Sequence, residues 1–327
     1  MKAVQATQFG DPSVLVVTEL PDPTPGPGEI SINVSHAAVG LIDLLFRQGV
    51  FQNVPGMAQP PFIPGLEVAG TVRALGEGVS GFGIGEKVVA MSTGTGTGGY
   101  ASVYIAKATG TVSIESSGID PALAVAVIPN AAMAYVALTS VAHLSEGESV
   151  LVHGALGGFA AAFPGIAKQL GASRVVGTVR TSKLDAAAKT KLPYDRIVDS
   201  NELPIILDGE KFDIVIDPVG GAVRGHSFAA MKPGSRLIVA GNASGDWGHQ
   251  VKTNDLWMGS TTVSGFNAGA YLPTHPQTIR PALEAALRAV ASGLGDTEID
   301  VLPFEKAALA HETMENRSLN GRIVLTP

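Results

Sequence analysis

Apolar and polar positions follow two different patterns along this chain. Over roughly the first 125 residues, short apolar runs are separated by turns rich in Gly and Pro. This irregular spacing is typical of a bent, partly barrel-like antiparallel domain. The predicted strands are residues 14–18, 29–35, 68–75, 87–91 and 101–105.

Further along, continuous apolar strands alternate with helical stretches, which predicts a doubly wound parallel sheet covered on both faces. The predicted strands are residues 149–153, 174–179, 212–217, 236–241 and 261–266. The predicted helices are residues 120–138, with a break near Pro129, and residues 158–170, 182–191, 224–231 and 278–292. Pro164 lies inside the second of these helices, where proline normally kinks or breaks a helix.

The end of the chain resembles the first part in its pattern. A short amphipathic helix over residues 304–316 precedes a strand over residues 321–325. We expect this segment to return to the first domain. The predicted domains are therefore residues 1–122 with 268–327, and residues 123–267.

Composition narrows the classes of function. Of the 327 residues, 45% are hydrophobic and 16% are charged, against a usual ~25% charged, so the chain can form large cores. The net charge of −7 argues against a nucleic-acid partner. The absence of cysteine excludes disulfides and thiolate metal sites. We find no signal core and no uncharged apolar run of the ~18–20 residues that a membrane span needs. These features predict a cytoplasmic protein with no membrane partner.

A glycine-rich turn indicates a dinucleotide site. The apolar strand 149–153 leads into Gly154-Ala-Leu-Gly-Gly158 and then into a predicted helix. In a βαβ unit this arrangement lets backbone N–H groups meet a pyrophosphate, and side chains larger than Gly would block it. The alternative is a tight turn that binds nothing.

The end of the next strand indicates which nicotinamide cofactor binds. NAD sites usually place an acid there to hold the ribose 2′-hydroxyl. This chain instead has Arg180-Thr-Ser-Lys183. Two cations with two hydroxyls suit a 2′-phosphate, so we predict NADP(H). The alternative is a solvated helix start.

Eight motifs, in order along the chain, carry a resemblance to a known family. They are Asp43-x-x-x-Arg47-x-Gly49-x-Phe51, Pro64-Gly-Leu-Glu67-Val-Ala-Gly70, Gly76-x-Gly78-Val-x-Gly-Phe82, Val150-Leu-Val-His153-Gly-Ala-Leu-Gly-Gly158, Ile166-Ala-Lys168-Gln-Leu-Gly171-Ala172, Phe212-Asp-Ile-Val-Ile-Asp217, Gly241-Asn242-Ala243-Ser244-Gly245 and Gly321-Arg-Ile-Val-Leu325. The chain resembles the zinc-independent quinone oxidoreductase and zeta-crystallin branch of the medium-chain dehydrogenase/reductases.

The resemblance implies a GroES-like catalytic domain, a Rossmann cofactor domain, NADPH in the cleft between them, and a homodimer. The cofactor-binding residues that it implies are Leu156, Gly157, Gly158 and Phe159 at the pyrophosphate, Arg180, Lys183 and Ser200 near the adenosine, and Gly241, Asn242, Ala243, Ser244, Gly265, Phe266 and Asn267 around the nicotinamide. Zinc-dependent relatives use Gly-His-Glu where this chain has Gly65-Leu66-Glu67, so no metal is expected.

The substrate pocket departs from the family pattern. Its candidate residues Gly40, Leu45, Phe51 and Met133 stand where relatives often carry Asn, Tyr, Tyr and Thr. No dedicated acid is identified, and water is the expected proton source. Asp43 and Arg47 are interpreted as a structural ion pair rather than as acid and base.

These observations lead to NADPH-dependent reduction of quinones or other conjugated carbonyls as the expected function. A first alternative is an NADPH-dependent enoyl or double-bond reductase, which the apolar pocket would suit equally. A second is a crystallin-like protein that binds NADPH with little turnover.

Overall fold

A computed structural model describes residues 1–94, 97–203, 209–293, 295, 297–317, 319 and 321–327. The chain divides into two compact units. The first unit comprises Met1–Pro129, Ala268–Ala291 and Glu298–Pro327, and the second comprises Asn130–Asn267 and Ser292–Thr297.

The first unit is built on a β-sheet that is antiparallel except at one edge. The strands of this unit are β1 (Lys2–Ala6), β2 (Leu15–Glu19), β3 (Glu29–Ala38), β4 (Glu67–Leu75), β5 (Lys87–Met91), β6 (Val103–Lys107), β7 (Thr111–Ser113), β14 (Ile299–Pro303) and β15 (Arg322–Thr326). The main path runs β14-β15-β3-β4-β5-β7, with β6 also paired to β3, while β1 and β2 form a separate hairpin. The pairing of β15 with β3, where Val324 faces Ala38, brings the end of the chain into this sheet.

Alternation along the strands explains the core of the first unit. Ile30 and Ile32 on β3 are fully buried, as are Val68 on β4 and Val88 on β5. Branched side chains at alternating positions of a sheet bury one face against the packed interior. The helix α9 (Ala307–Glu315) covers part of this core.

The second unit contains a six-stranded, fully parallel sheet. Its strands are β8 (Ser149–His153), β9 (Arg174–Val179), β10 (Arg196–Asp199), β11 (Phe212–Asp217), β12 (Met231–Val239) and β13 (Thr262–Gly265). They lie in the order β10-β9-β8-β11-β12-β13. This confirms the predicted doubly wound parallel sheet. The sequence analysis missed β10, which is only four residues long.

Besides α9, already given, the structure describes eight α-helices, most of them short. They are α1 (Leu41–Arg47), α2 (Pro121–Val136), α3 (Phe163–Gln169), α4 (Leu184–Ala187), α5 (Ala222–Ser227), α6 (Thr253–Gly259), α7 (Ala268–Thr274) and α8 (Ile279–Ala291). The predicted helices at residues 182–191 and 224–231 were too long, because short 3₁₀ turns take up part of each segment.

Helix α2 corrects two expectations. It passes through Pro129 without the predicted break, because burial holds the helix even where proline removes a hydrogen-bond donor. The segment Pro121–Val141 is also long and apolar enough to cross a membrane, contrary to the sequence analysis. Since 78% of its most apolar window is buried inside the protein, it has the character of a core helix.

The helix predicted over residues 158–170 starts later than expected. A 3₁₀ turn at Ala160–Ala162 comes first, and α3 begins at Phe163. Pro164 therefore lies in the first turn of α3, where its missing N–H would have had no helical partner in any case.

Candidate functional site

The predicted cofactor-binding residues lie together at the carboxyl ends of the parallel strands, which we call the carboxyl edge of the sheet. Parallel strands end on the same side, and this is where open α/β sheets bind ligands. The glycine turn follows β8, Arg180 and Lys183 follow β9, and Ser200 follows β10. The segments 241–244 and 265–267 follow β12 and lie at the end of β13. The fold thus gathers every predicted cofactor-binding segment of the second unit at this edge.

The glycine turn after β8 is tightly closed. Gly154 has a φ of +69°, and a Cβ there would lie 2.9 Å from Cγ2 of Val219. The Gly157 N–H donates to the Gly154 carbonyl at 2.7 Å. A side chain at Gly154 would be both strained and obstructed. The turn therefore presents backbone at the position where a pyrophosphate would bind.

Tyr194, which the sequence analysis missed, holds this turn in place. Its hydroxyl lies 3.2 Å from the Ala155 carbonyl and 3.0 Å from the Ala160 carbonyl, and its one proton is shared between these two acceptors. Burial raises the pKa of Tyr194 well above its usual value, which keeps the hydroxyl protonated as a donor. Gly177 makes room for it, since a Cβ there would lie 3.1 Å from the Tyr194 ring. Tyr194 lies in a loop, where no periodic pattern marks it.

The turn after β9 carries two cations. Arg180 is exposed and precedes the 3₁₀ turn Thr181–Lys183. The pKa of Lys183 is lowered, first by partial burial and then by the charge of Arg180. Neighbouring like charges disfavour the charged form of each other, and a bound anion would relieve that repulsion. Ser200 is buried beside this turn, and its N–H donates to the Val179 carbonyl at 2.8 Å.

Asp217 ties two loops of this edge together. Its fully buried carboxylate accepts the N–H groups of Val219, at 2.9 Å, and Gly220, at 2.8 Å. It also pairs with Nε of Arg224 at 2.6 Å. Nη2 of Arg224 in turn donates to the Gly241 carbonyl at 3.0 Å. Sequence reasoning missed this pair, although an acid ends the apolar strand β11 and a base follows seven residues later.

Asn242 packs closely against the loop after β11. Its Oδ1 accepts from Oγ of Ser244 at 3.2 Å. A Cβ at Gly220 would lie 2.3 Å from the same Oδ1 atom, so that position requires glycine. Nδ2 of Asn242 is buried without a partner among the described residues. This leaves an amide donor that a bound polar group can satisfy.

His153 closes β8 beneath the glycine turn. It is fully buried, with Nδ1 3.0 Å from the Thr178 hydroxyl and Nε2 2.8 Å from the Ser227 hydroxyl. The Ser227 hydroxyl donates to the Val223 carbonyl, so it accepts from Nε2–H of His153. Burial lowers the pKa of His153 to about 4. His153 is thus a neutral structural residue.

The substrate-pocket candidates are divided between the units. In the first unit, Gly40 is the N-cap of α1 and Leu45 lies partly exposed within that helix. Phe51 contacts Phe46 edge-on, with ring centroids 5.8 Å apart, in an apolar cluster with Phe62 and Leu66. In the second unit, Met133 is half-buried on α2. Phe266, which is predicted to lie near the nicotinamide, is buried after β13.

The predicted ion pair between Asp43 and Arg47 is wrong. The buried Asp43 carboxylate accepts from the N–H groups of Gly40, at 2.8 Å, and Gly65, at 3.2 Å, and from the Tyr100 hydroxyl, at 3.2 Å. Arg47 pairs instead with Glu315 and donates to the Gly10 carbonyl. An acid in the first turn of a helix satisfies free N–H groups there, while a base in its last turn faces the other way.

The residues at the family's zinc position do not fit zinc. Leu66 has no ligating atom, and Glu67 is paired with Arg322 at 2.8 Å. In the part of the chain that the structure describes, no three His, Cys, Asp or Glu side chains are grouped to hold a metal.

Fold and site together define a class of two-domain proteins, in which a GroES-like β-domain is joined to a Rossmann-type dinucleotide domain. The family description "Alcohol dehydrogenase GroES-like domain" matches residues 26–116, and "Zinc-binding dehydrogenase" matches residues 170–325.

Named relatives agree with this class. A quinone oxidoreductase from Lama guanicoe is 28% identical over 99% of this chain and 97% of its own length. The synaptic vesicle membrane protein VAT-1 homolog of Danio rerio is 30% identical over 91% of this chain, which spans 64% of that relative's length. The structure of Escherichia coli quinone oxidoreductase complexed with NADPH matches with a TM-score of 0.86 at 25% identity, over 100% of both chains.

The chain belongs to the medium-chain dehydrogenase/reductase superfamily, in its zinc-independent quinone oxidoreductase branch. The resemblance drawn from the sequence motifs is thereby confirmed.

Proposed function

We propose that this protein is an NADPH-dependent oxidoreductase that transfers a hydride to quinones or other conjugated carbonyls without a metal. The observation that carries the proposal is the convergence of the glycine turn and the Arg180–Lys183 cations on the carboxyl edge of the parallel sheet. Relatives named quinone oxidoreductase, one of them complexed with NADPH, support it.

The residues at this edge fit NADPH. The closed turn at Gly154 offers backbone to a pyrophosphate, and the two cations after β9 suit the 2′-phosphate. When bound, the reduced cofactor supplies the hydride. We propose that the loops held by Asp217 and Arg224 position the nicotinamide end, and that residues 265–267 frame it.

The pocket candidates of the chain are apolar, so their proposed role is to orient an electron-poor ring and to exclude water from it. A quinone accepts the hydride at one oxygen or ring carbon and then a proton from solvent to form the hydroquinone. None of Gly40, Leu45, Phe51 and Met133 carries an acidic group, which agrees with solvent as the proton source.

Cofactor choice tests the proposal most directly. Removing the guanidinium in Arg180→Ala should raise the Kd for NADPH about 10- to 100-fold, since a charge-assisted hydrogen bond contributes ~1.5–3 kcal/mol. The Kd for NADH should change less than about 3-fold. Titration of reduced-cofactor fluorescence measures both constants. Arg288→Ala, an exposed arginine of α8, is the matched control and should change neither.

Substrate assays distinguish the alternatives. NADPH oxidation is followed with a panel of quinones and a panel of α,β-unsaturated ketones. Faster turnover of quinones supports a quinone reductase, and faster turnover of enones favours the double-bond reductase. Tight NADPH binding without consumption by either panel would favour a crystallin-like binder.

We also propose a cytoplasmic location, as the sequence analysis predicts. A further proposal is that the protein forms a homodimer. Strand β13 is an edge of the parallel sheet, and the neighbouring helix α6 exposes Trp257 (76%) and Met258 (75%). A free strand edge beside exposed large apolar side chains is typical of a surface that pairs with a second copy.

A further inference from the structure

A compact hydrogen-bond network links the ends of β9 and β10. The carboxylate of Asp199, only 6% exposed, accepts from the Thr181 hydroxyl at 2.5 Å through Oδ2. Its Oδ1 accepts from the Asn201 N–H at 2.8 Å. Nδ2 of Asn201 donates to the Thr181 hydroxyl oxygen at 3.1 Å. The Thr181 hydroxyl is therefore used as donor and acceptor at once.

This network grips the turn that carries both cations. Thr181 directly follows Arg180, and the Lys183 N–H donates to the Arg180 carbonyl at 2.8 Å, which closes the turn. On the strand side, Val179 pairs in register with Asp199. The cations thus extend from a segment whose backbone is fixed at β9 and whose first turn residue is held by a side chain of β10.

The position of this acid differs from the usual NAD arrangement. There, an acid at the end of the second strand of the βαβ unit leaves its oxygens open to the ribose hydroxyls. Here the acid lies on the adjoining strand β10, and Thr181 and Asn201 occupy both of its oxygens. An acid used in this way orders the cationic turn rather than attracting a ribose.

We propose that Asp199 is a positioning residue for cofactor specificity, which holds Thr181 so that Arg180 and Lys183 are preorganised for a 2′-phosphate. The inference rests on the proposed use of NADPH. Preorganised charged groups lose less conformational freedom on binding, and so a fixed turn binds the phosphate more tightly than a loose one.

The test measures the ratio of Kd for NADH to Kd for NADPH by fluorescence titration. Asp199→Ala and Thr181→Val each remove the contact between the two side chains. Each should lower the ratio at least ~10-fold, chiefly by weakening NADPH binding. Asp199→Asn keeps an oxygen acceptor for Thr181 but turns its NH2 group toward the Asn201 N–H, so it should lower the ratio less than Asp199→Ala does. Ser173→Ala removes an exposed hydroxyl at the opposite end of β9 and is the matched control, with no change expected.

The outcomes separate this inference from the function on which it rests. A wild-type protein that binds NADH as tightly as NADPH refutes the proposed cofactor itself. A wild type that prefers NADPH, with Asp199→Ala and Thr181→Val keeping that preference, overturns the role of Asp199 alone. Equal loss of both cofactors in these variants would show a merely structural role and would also overturn it. Unfolding curves confirm that each variant is folded, and Thr181→Val gives an independent reading if Asp199→Ala does not fold.

Discussion

The interior of the first unit contains a chain of buried polar side chains that runs from α9 to α1. The Tyr100 hydroxyl donates to Asp43 and lies 3.2 Å from Nε2 of His311. Because this hydroxyl has one proton, it accepts from Nε2–H of His311, and Nδ1 of the histidine carries none. Burial, followed by the charge of Arg47, lowers the pKa of His311 to about 3.

This histidine should make stability depend on pH. The unfolded state binds a proton below about pH 6.5, while folded His311 stays neutral until about pH 3. The free energy of unfolding is therefore lost as pH falls through this window, by at most about 1.4 kcal/mol per pH unit from this group. In His311→Asn, the slope between pH 6.5 and 5 should be smaller, as measured by urea denaturation.

The control for this slope is His143→Asn, at an exposed residue with a φ of 50°, a conformation that Asn tolerates.

Burial raises the pKa of Asp43 to about 7, so Asp43 opposes His311: its contribution to stability falls as pH rises from about 4 to 7. Comparing the pH slope of each variant with that of the wild type separates the contribution of His311 from that of Asp43. An unchanged slope in His311→Asn would contradict the assignment.

Asp43 itself should matter for folding more than for turnover. Asp43→Ala leaves two N–H groups and the Tyr100 hydroxyl without their acceptor, and a buried unsatisfied donor costs about 1–3 kcal/mol. We expect a loss of about 2–5 kcal/mol in the free energy of unfolding, with nearly wild-type turnover per folded molecule. Asp300→Ala, at an exposed position, is the control. Selective loss of turnover in a stably folded Asp43→Ala protein would assign Asp43 to the chemistry.

At the scale of single elements, proline shows how position decides its effect. Pro164 lies in the first turn of α3, while Pro129 lies within the long, buried α2. A proline in the first helical turn removes no helical hydrogen bond and has a suitable φ. The chain thus passes from the glycine turn through the 3₁₀ turn directly into α3, and Pro164 does not interrupt this path.

Replacing Pro164 should have little effect on stability. Pro164→Ala restores an N–H that has no helical partner and adds flexibility to the unfolded chain, so the free energy of unfolding should change by less than about 1 kcal/mol. Ala285→Pro, in the interior of α8, serves as the contrast and should lose about 3 kcal/mol or more. Thermal unfolding of both variants measures the difference. A comparably large loss in Pro164→Ala would contradict the first-turn position.

At the scale of the whole molecule, the parallel sheet of the second unit carries both the proposed cofactor site and the proposed dimer surface. The parallel sheet of the second unit gathers the cofactor-binding segments at one edge, and its last strand, β13, is unpaired on its outer side among the described strands. Helix α6, beside this strand, exposes the large apolar side chains of Trp257 and Met258. Both features motivate the proposed dimer.

Charged substitutions on α6 should disrupt that dimer. Wild-type protein should sediment as a dimer, whereas Trp257→Glu and Met258→Glu should raise the dimer dissociation constant at least ~10-fold, because burying an unpaired charge at an interface is costly. Ile84→Glu, at an equally exposed apolar residue of the first unit, should leave the dimer intact. Analytical ultracentrifugation measures all three, and a monomeric wild type would refute the proposal.

The sequence by itself determined the two styles of fold, the glycine turn, the cations after β9 and the family, because these depend on local periodicity and on residue types at short spacings. Only the tertiary structure decided the partners of buried polar groups. Asp43 meets Gly65 and Tyr100, Tyr194 reaches Ala155, and Asp199 holds Thr181. These partners are far apart in sequence, and the packing of separate strands and loops selects them, so no local pattern specifies such pairs.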